Sequence, residues 1–214
     1  MKEQVVVLHG LALNSWWTCG LAASLRRAGY EVRNVSYRTR ASDFQDIVDQ
    51  FLYPLVQSLP PGKINFAVHS MGGLLVRLYA RKYGTERIGR VVMIGTPNHG
   101  SEVADWLRGS RVVKFFLGEV GRNLGTKPGD LPAQIGPVTF DCGVIAGTSH
   151  WLHFPSSLIA RIPKPNDGIV SVASTKIEGM KDHATVRSDH SLMVWNPRVW
   201  RLTKSFLKNG KFST

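Results

Sequence analysis

The sequence predicts an α/β fold, a mostly parallel β-sheet with helices on both faces. Two observations lead to this prediction. Strand-like and helix-like segments alternate along almost the whole chain, and strand-like segments such as QVVVLHG at 4–10 are apolar without interruption. Uninterrupted apolar runs are typical of strands buried on both faces, and strand-helix alternation is typical of parallel sheets.

Six segments are predicted as strands of this sheet. They are rich in β-branched and apolar residues and are bounded by turn residues. They cover residues 4–10, 31–37, 63–70, 90–97, 140–148 and 183–188, and the last has the weakest pattern. We therefore expect a sheet of about six strands.

Helices are predicted between the strands. Segments 18–30 and 71–84 have helical patterns that end at or near a glycine, a residue that favours helix ends. Ser42 and Asp43 can cap a long helix, in which Pro54 predicts a kink because proline cannot donate a backbone hydrogen bond.

The region at about 98–138 is less regular, and we interpret it as a small helical excursion above the sheet. The chain has 214 residues, of which 43% are hydrophobic, so one domain over 1–214 can bury a substantial core. The apolar side chains of the excursion either line a pocket or fasten it to the core. They include Trp106, Phe115, Phe116 and Leu117.

The chain is strongly basic, with a net charge of +12 and a sequence pI near 10.1. Its last segment predicts an amphipathic helix with a cationic stripe, which is either a solvated face or a peripheral contact with an anionic membrane. The stripe consists of Arg201, Lys204, Lys208 and Lys211, and the apolar side of Val199, Leu202 and Phe206. No nucleic-acid-binding motif is present in the sequence, so we expect no nucleic-acid partner.

Cysteine usage and hydropathy indicate a cytoplasmic protein. The two cysteines, Cys19 and Cys142, are too far apart in sequence to suggest a disulfide framework, and no spacing typical of a zinc site occurs. No apolar run approaches the roughly 20 residues of a membrane-spanning helix. The segment MKEQVVVLHG passes directly into a predicted strand and has no signal-peptide pattern, so we expect none in the chain as given.

A parallel sheet also predicts where a functional site lies, because ligands bind beyond the carboxyl ends of its strands. Ser70, in the stretch NFAVHSMGG, follows the third strand and opens a helix. A serine in such a strand-to-helix turn can be a nucleophile, and Gly72 and Gly73 supply space beside it. Val68 occupies the position at which the G-x-S-x-G pattern has its first glycine.

A nucleophilic serine needs a histidine base and an acid that orients the base. His190 follows the last strand, whereas His183 lies at its start and His69 should point to the opposite face from Ser70. Asp167 follows the 140–148 strand and is our first choice of acid. Asp105 and Glu102, after the 90–97 strand, are the alternatives.

Two backbone N–H groups are expected to stabilise a developing oxyanion. One belongs to Met71, which follows the serine, and the other to Leu11, which follows the first strand. An apolar wall for the substrate is predicted around this site. Its members are Trp16, Trp17, Trp151, Leu192 and Met193, each of which is alternatively a packing residue.

Taken together, these residues resemble the α/β-hydrolase superfamily, and within it the compact bacterial lipases and esterases. The similarity covers nearly the whole chain through five motifs, VVVLHGL, VHSMGG, GTPNHGS, NDGIVSV and SDHSLM. The resemblance implies catalytic roles for Ser70, Asp167 and His190, and oxyanion roles for Leu11 and Met71. Val68 departs from the family pattern, in which compact lipases accept alanine at this site.

The resemblance implies a serine hydrolase that cleaves small-molecule or lipid esters through an acyl-enzyme, without a metal or an organic cofactor. An acyltransferase or a thioesterase would use the same residues. A protein of this fold that binds an acyl ligand or a protein partner without turnover is a further alternative, and Val68 is the reason to retain it.

Overall fold

The computed structural model describes residues 2–39, 43–108, 121, 123–150 and 161–213. Among these residues, six strands form a single sheet in which every pairing is parallel. The strands are β1 (Gln4–Leu8), β2 (Glu31–Val35), β3 (Ile64–His69), β4 (Ile88–Ile94), β5 (Cys142–Gly147) and β6 (Asp182–Val186). The predicted fold class is therefore confirmed, and each strand lies within two residues of its predicted start.

The spatial order of the strands is β2-β1-β3-β4-β5-β6. β1 and β3 are neighbours. β2 lies on the outer side of β1, and β4, β5 and β6 follow one another on the outer side of β3. Because all six strands run the same way, their carboxyl ends meet at one edge of the sheet. The loops that follow β1, β3, β4, β5 and β6 converge there.

Helices cover both faces of the sheet. The described α-helices are α1 (Cys19–Arg27), α2 (Phe44–Ile47), α3 (Tyr53–Ser58), α4 (Met71–Tyr83), α5 (Glu102–Leu107), α6 (Leu131–Gln134), α7 (Val172–Thr175) and α8 (Pro197–Asn209). A π-helical turn, Val48–Leu52, joins α2 to α3, and a 3₁₀ turn, Ser191–Trp195, precedes α8.

The predicted long helix after β2 is interrupted by this π-helical turn. Asp43 caps its start in a capping box with Asp46, while Ser42 lies outside the described residues. The π-helical turn ends just before α3, whose second residue is Pro54. Because Pro54 has no N–H to donate, regular α-helical pairing cannot run through this position.

The alternation of side chains along β1 explains its uninterrupted apolar sequence. Val6 and Leu8 point to the face covered by α2, α3 and α4, and Val5 and Val7 point to the face covered by α1 and α8. All four side chains are completely buried. Each face therefore has its own hydrophobic core, and β1 contributes to both.

The excursion after β4 includes α5 and α6 and is tied to α4 by a buried arginine. Arg77 Nη1 donates to the carbonyl of Asn98 at 3.0 Å, and Nη2 donates to the carbonyl of Gly136 at 2.7 Å. Trp106 is 48% exposed, so it does not fasten the excursion to the core. Phe115, Phe116 and Leu117 lie outside the described residues.

Candidate active site

Ser70 occupies a strained turn between β3 and α4. Its backbone has φ 53° and ψ −121°, and it is one of two non-glycine residues with positive φ in the described part of the chain. A non-glycine residue rarely adopts this conformation, and such strain is common at functional sites. The predicted strand-to-helix turn thus has the backbone geometry that exposes a serine hydroxyl.

Small residues allow the turn to pack tightly against neighbouring strands. A Cβ atom at Gly73 would overlap the hydroxyl of Thr96, and one at Gly72 would lie 3.1 Å from Leu8 Cβ. The Thr96 hydroxyl also donates to the Ser70 carbonyl at 3.0 Å. Close approach therefore requires a glycine at position 73, and a side chain at position 72 would need the neighbouring strand to shift slightly.

Val68 does not prevent this geometry. It is completely buried in the core beneath α4, in register with Leu8 on β1 and Met93 on β4. Ser70 keeps its positive φ two residues later. The isopropyl group is therefore accommodated by the core and not by the turn.

His190 links Ser70 to Asp167. Its Nε2 lies 3.0 Å from Ser70 Oγ, and its Nδ1 lies 2.8 Å from Asp167 Oδ2. Both His190 and Asp167 are buried. When Nδ1–H donates to the carboxylate, Nε2 is left unprotonated and can accept a proton from the serine hydroxyl. The structure brings together the three residues that the sequence analysis selected.

Asp167 is held by its own turn as well as by His190. Its Oδ1 accepts hydrogen bonds from the backbone N–H groups of Ile169 and Val170, at 3.1 and 2.8 Å. A Cβ atom at Gly147, the last residue of β5, would lie 2.7 Å from Asp167 Cβ. The absence of a side chain at Gly147 thus lets the acid loop fold over the strand end.

The alternative acids lie elsewhere. The carboxylate of Asp105 pairs with Arg108 at 3.0 Å and accepts hydrogen bonds from the backbone N–H and hydroxyl of Thr126. Glu102 begins α5, where burial raises the pKa of its carboxyl group. The geometry therefore favours Asp167 as the partner of His190.

The two predicted oxyanion donors lie at the same edge of the sheet. Met71 is the first residue of α4, and Leu11 follows β1 and lines the cavity beside Ser70. No residue in the described ranges accepts a hydrogen bond from either N–H. The next residue, Ala12, has a φ of 58°, and its N–H donates to Thr39 Oγ1 at 3.0 Å.

Two buried histidines, whose contacts the sequence does not reveal, support the site. His9 Nδ1 donates to the Gly10 carbonyl at 2.8 Å, and its Nε2 accepts from the Tyr37 N–H. Burial lowers the pKa of His9. His69 Nε2 donates to the carbonyl of His190 at 3.0 Å. Burial, and secondarily the nearby His190, lower the pKa of His69 to about 3, so its ring is neutral.

A cavity of about 190 Å³ opens beside Ser70 and His190. Its lining is mostly apolar and comes from the loops after β1, β4 and β5. The apolar members are Leu11, Leu13, Pro97, Val103, Ala104, Leu124, Ile169 and Val170. A larger cavity of about 450 Å³ contains Glu3, Lys63 and Asp141 at the opposite edge of the sheet and does not include Ser70.

The four described members of the substrate wall predicted from the sequence do not line this cavity. Trp16 is 66% exposed and Leu192 is 39% exposed, whereas Met193 is completely buried in the core under α8. Trp17 donates its indole N–H to the carbonyl of Ser191. Trp151 lies outside the described residues. The sequence pattern of an aromatic residue near a strand end is the same whether the residue lines the cavity or lies on the outer surface.

Two other kinds of feature are absent from the described residues. No group of three or more histidine, cysteine or acidic side chains is placed to hold a metal ion. No described helix is long and apolar enough to cross a membrane.

Comparison with solved structures relates this arrangement to known proteins. The chain is similar to the mature form of the Bacillus licheniformis lipase BlEst2, with 18% sequence identity and a TM-score of 0.72 over 96% of this chain and 92% of that chain. It is also similar to a structure reported for LipS and LipT, two metagenome-derived lipolytic enzymes, with 14% identity and a TM-score of 0.68 over 97% of this chain and 94% of that chain.

A thermophilic esterase from Thermogutta terrifontis is 14% identical and has a TM-score of 0.63, over 98% of this chain and 91% of that chain. At these identities the similarity establishes the fold. No curated protein matches the sequence. A family model described as the alpha/beta hydrolase fold matches residues 4–134, more than half of the chain. The chain therefore belongs to the α/β-hydrolase fold family.

Proposed function

We propose that the protein is a serine hydrolase that cleaves carboxylic esters through an acyl-enzyme formed on Ser70. The observation that supports this most strongly is the continuous chain of hydrogen bonds from Ser70 Oγ to His190 Nε2 and from His190 Nδ1 to Asp167 Oδ2. The positive φ of Ser70 adds support, because a strained turn presents the hydroxyl at the sheet edge.

In the proposed reaction, Ser70 Oγ attacks the acyl carbonyl while His190 Nε2 removes its proton. The tetrahedral intermediate collapses, the bond to the alcohol oxygen breaks, and His190 returns the proton to the leaving alcohol. Water then attacks the acyl-enzyme with His190 again as base, which releases the acid and restores Ser70. Asp167 keeps His190 in the tautomer that leaves Nε2 free to accept a proton.

The oxyanion of each tetrahedral intermediate is proposed to bind the N–H groups of Leu11 and Met71. Met71 begins the 13-residue helix α4, so the positive end of the helix dipole also faces this position. The strained Ala12, held by Thr39, fixes the loop that carries Leu11. All of these donors are backbone groups, and the proposed steps need no cofactor.

The size and lining of the cavity support an ester with a short or medium acyl chain. The cavity beside Ser70 has a volume of about 190 Å³. Its apolar wall suits a hydrocarbon chain, and Ser101 is one of its few polar members. Lipases and esterases among the structural relatives are consistent with this proposal.

We propose peripheral contact with an anionic membrane through α8 separately from the catalytic activity. Arg198, Arg201 and Lys208 are exposed on this helix, while Val199 and Phe206 are buried beneath it. An ester substrate carried by such a membrane would be a lipid ester.

A panel of esters that varies the acyl length and the leaving alcohol tests the proposed activity. We expect hydrolysis to fall as the acyl chain outgrows the cavity, and to fall by about 10⁶-fold in kcat in Ser70→Ala. Ser58→Ala, which changes an exposed serine of α3, is the matched control and should retain activity.

The same panel separates the alternatives. A thioesterase would prefer thioesters over oxygen esters of the same acid. An acyltransferase would form more acylated acceptor than free acid when an alcohol or amine is added. Tight binding of an acyl ligand with no turnover by the wild type would instead indicate a non-catalytic binding protein.

A further inference from the structure

Two segments that are far apart in sequence form one continuous surface beside the candidate site. Residues 11–30 contain α1, and residues 191–213 contain α8. Both helices cover the same face of the sheet. The Trp16 and Trp195 rings are 5.8 Å apart, and a Cβ atom at Gly20 would lie 3.2 Å from the Trp195 ring. We call the outer side of these two segments the α1–α8 face.

The α1–α8 face is cationic without internal compensation. Its two segments hold seven lysine and arginine residues and no aspartate or glutamate, although the whole chain has 15 acidic residues. The seven are Arg26, Arg27, Arg198, Arg201, Lys204, Lys208 and Lys211. Asp182, from β6, reaches the far end of α8 and accepts from the Phe212 N–H at 2.7 Å. Arg198 and Arg201, near the start of α8, are both exposed.

The end of the face nearest the candidate site also exposes apolar side chains. Trp16 is 66% exposed and Leu192 is 39% exposed. Trp17, next to Trp16, donates its indole N–H to the Ser191 carbonyl at 2.9 Å, and Ser191 lines the cavity beside His190. Trp16 is thus connected to the cavity wall through its neighbour Trp17 and the hydrogen bond from Trp17 to Ser191.

We infer that the α1–α8 face binds an anionic lipid surface, with Trp16 and Leu192 entering the interface and Arg198 and Arg201 contacting lipid phosphates. Tryptophan is favoured at the boundary between headgroups and acyl chains, and cations within a Debye length are attracted to anionic headgroups. A nucleic-acid duplex would satisfy the cations, but its bases are stacked in pairs and would leave Trp16 in water. The combination therefore favours lipid, and it places the mouth of the Ser70 cavity next to the membrane.

Vesicle binding by the Ser70→Ala protein tests this inference without turnover. Vesicles of phosphatidylcholine alone are compared with vesicles that also contain phosphatidylglycerol, by co-sedimentation at low and high salt. We expect binding to the anionic vesicles that weakens with salt, and a blue shift of tryptophan emission that is smaller in Trp16→Phe/Leu192→Ser.

Charge reversal locates the surface. Arg198→Glu/Arg201→Glu should weaken binding to anionic vesicles by about tenfold or more. Lys63→Glu/Lys127→Glu makes the same change in net charge at exposed positions outside the face and should weaken binding less than threefold. Equal losses in the two double variants would show that net charge alone is responsible, and would overturn the inference.

Two other results would also overturn it. One is equal or weaker binding to anionic vesicles than to neutral ones. The other is tighter binding to a DNA duplex than to anionic vesicles, with no effect of Trp16 on either. The inference does not rest on the proposed activity. Hydrolysis of a soluble short-chain ester by Arg198→Glu/Arg201→Glu should equal that of the wild type, so failure of one proposal is distinguishable from failure of the other.

Discussion

His190 is fixed through both its ring and its backbone. Its Nδ1 bonds to Asp167 Oδ2, its N–H donates to the Asp167 carbonyl at 3.1 Å, and its own carbonyl accepts from His69 Nε2. Because several hydrogen bonds fix the residue, its imidazole is already oriented towards Ser70 before a substrate binds. We therefore regard Asp167 and His69 as the groups that hold the proposed base in place.

The identity of the acid can be tested by matched amide substitutions. Asp167→Asn should lower kcat by about 10⁴-fold, because an amide stabilises the wrong tautomer of the proposed base. Asp105→Asn removes a carboxylate that bonds Arg108 and Thr126 instead, and should lower kcat less than tenfold. Steady-state kinetics on one activated ester measures both variants. A large loss in Asp105→Asn with little effect of Asp167→Asn would reverse the assignment.

For single residues, the sequence predicts the positions of the proposed catalytic side chains better than it predicts the residues that hold them in place. Ser70, Asp167 and His190 could be selected because each follows a strand whose carboxyl end faces the same edge. The bond from His69 to His190 joins residues 121 positions apart and depends on where a buried ring points. No local pattern encodes that direction. The sequence analysis did not identify cavity-lining residues such as Val103, Leu124 and Ile169 for the same reason.

The turn between β3 and α4 is the element on which the proposal depends. Gly73 lies against Thr96, and Thr96 holds the Ser70 carbonyl. Val68 packs in the core and replaces a motif glycine without relaxing the turn. The side chain of Val68, at a position where the G-x-S-x-G motif has glycine, is therefore tolerated because it packs into the core beneath α4.

Val68→Ala tests this interpretation. Removal of two buried methyl groups should lower the free energy of unfolding by about 2 kcal/mol, while kcat/KM stays within about threefold of the wild type. Urea denaturation and ester kinetics measure the two quantities. Val6→Ala, which removes the same groups from β1 in the same core, should cost a similar free energy. A gain in both stability and activity in Val68→Ala would instead mean that the valine strains the turn.

The elements themselves were largely predictable. A short apolar run between turn residues is typical of a buried strand, and β1 and the apolar stretches of β3, β4 and β5 follow this rule. The edge strands β2 and β6 contain more polar residues and are only partly buried, so the strand-helix alternation is the better signal for them. The π-helical turn before α3 was not predictable in detail, because Pro54 indicates an interruption but not its form. The excursion at 98–138 lacks a clear period, since Arg77 and other tertiary contacts fix its path.

For the whole molecule, buried neutral histidines should make stability depend on pH. Burial lowers the pKa of His9, His69 and His183, and that of His69 falls to about 3 from an unfolded value of about 6.5. Between these two pH values the unfolded chain binds a proton at position 69 that the folded chain does not. Stability from His69 is therefore complete above about pH 6.5 and is lost as the pH falls towards 3.

His69→Gln isolates this contribution, because glutamine can place an N–H donor near the position of Nε2 but does not titrate. Below about pH 5.5, the free energy of unfolding of the wild type should fall more steeply than that of the variant, by up to about 1.4 kcal/mol per pH unit. Urea denaturation at pH 7, 6, 5 and 4 gives the two slopes. Parallel slopes would show that folding leaves the pKa of His69 close to its value in the unfolded chain.

Covalent labelling by a fluorophosphonate tests the nucleophilic role of Ser70 most directly. We expect the folded wild-type protein to gain the mass of one phosphonyl group on the peptide that contains Ser70, and labelling to be absent in Ser70→Ala. Slow labelling of Asp167→Asn would connect the reactivity of the serine to the hydrogen bonds of His190. A folded wild-type protein that remains unlabelled, or one labelled equally in Ser70→Ala, would contradict the proposal that Ser70 forms an acyl-enzyme.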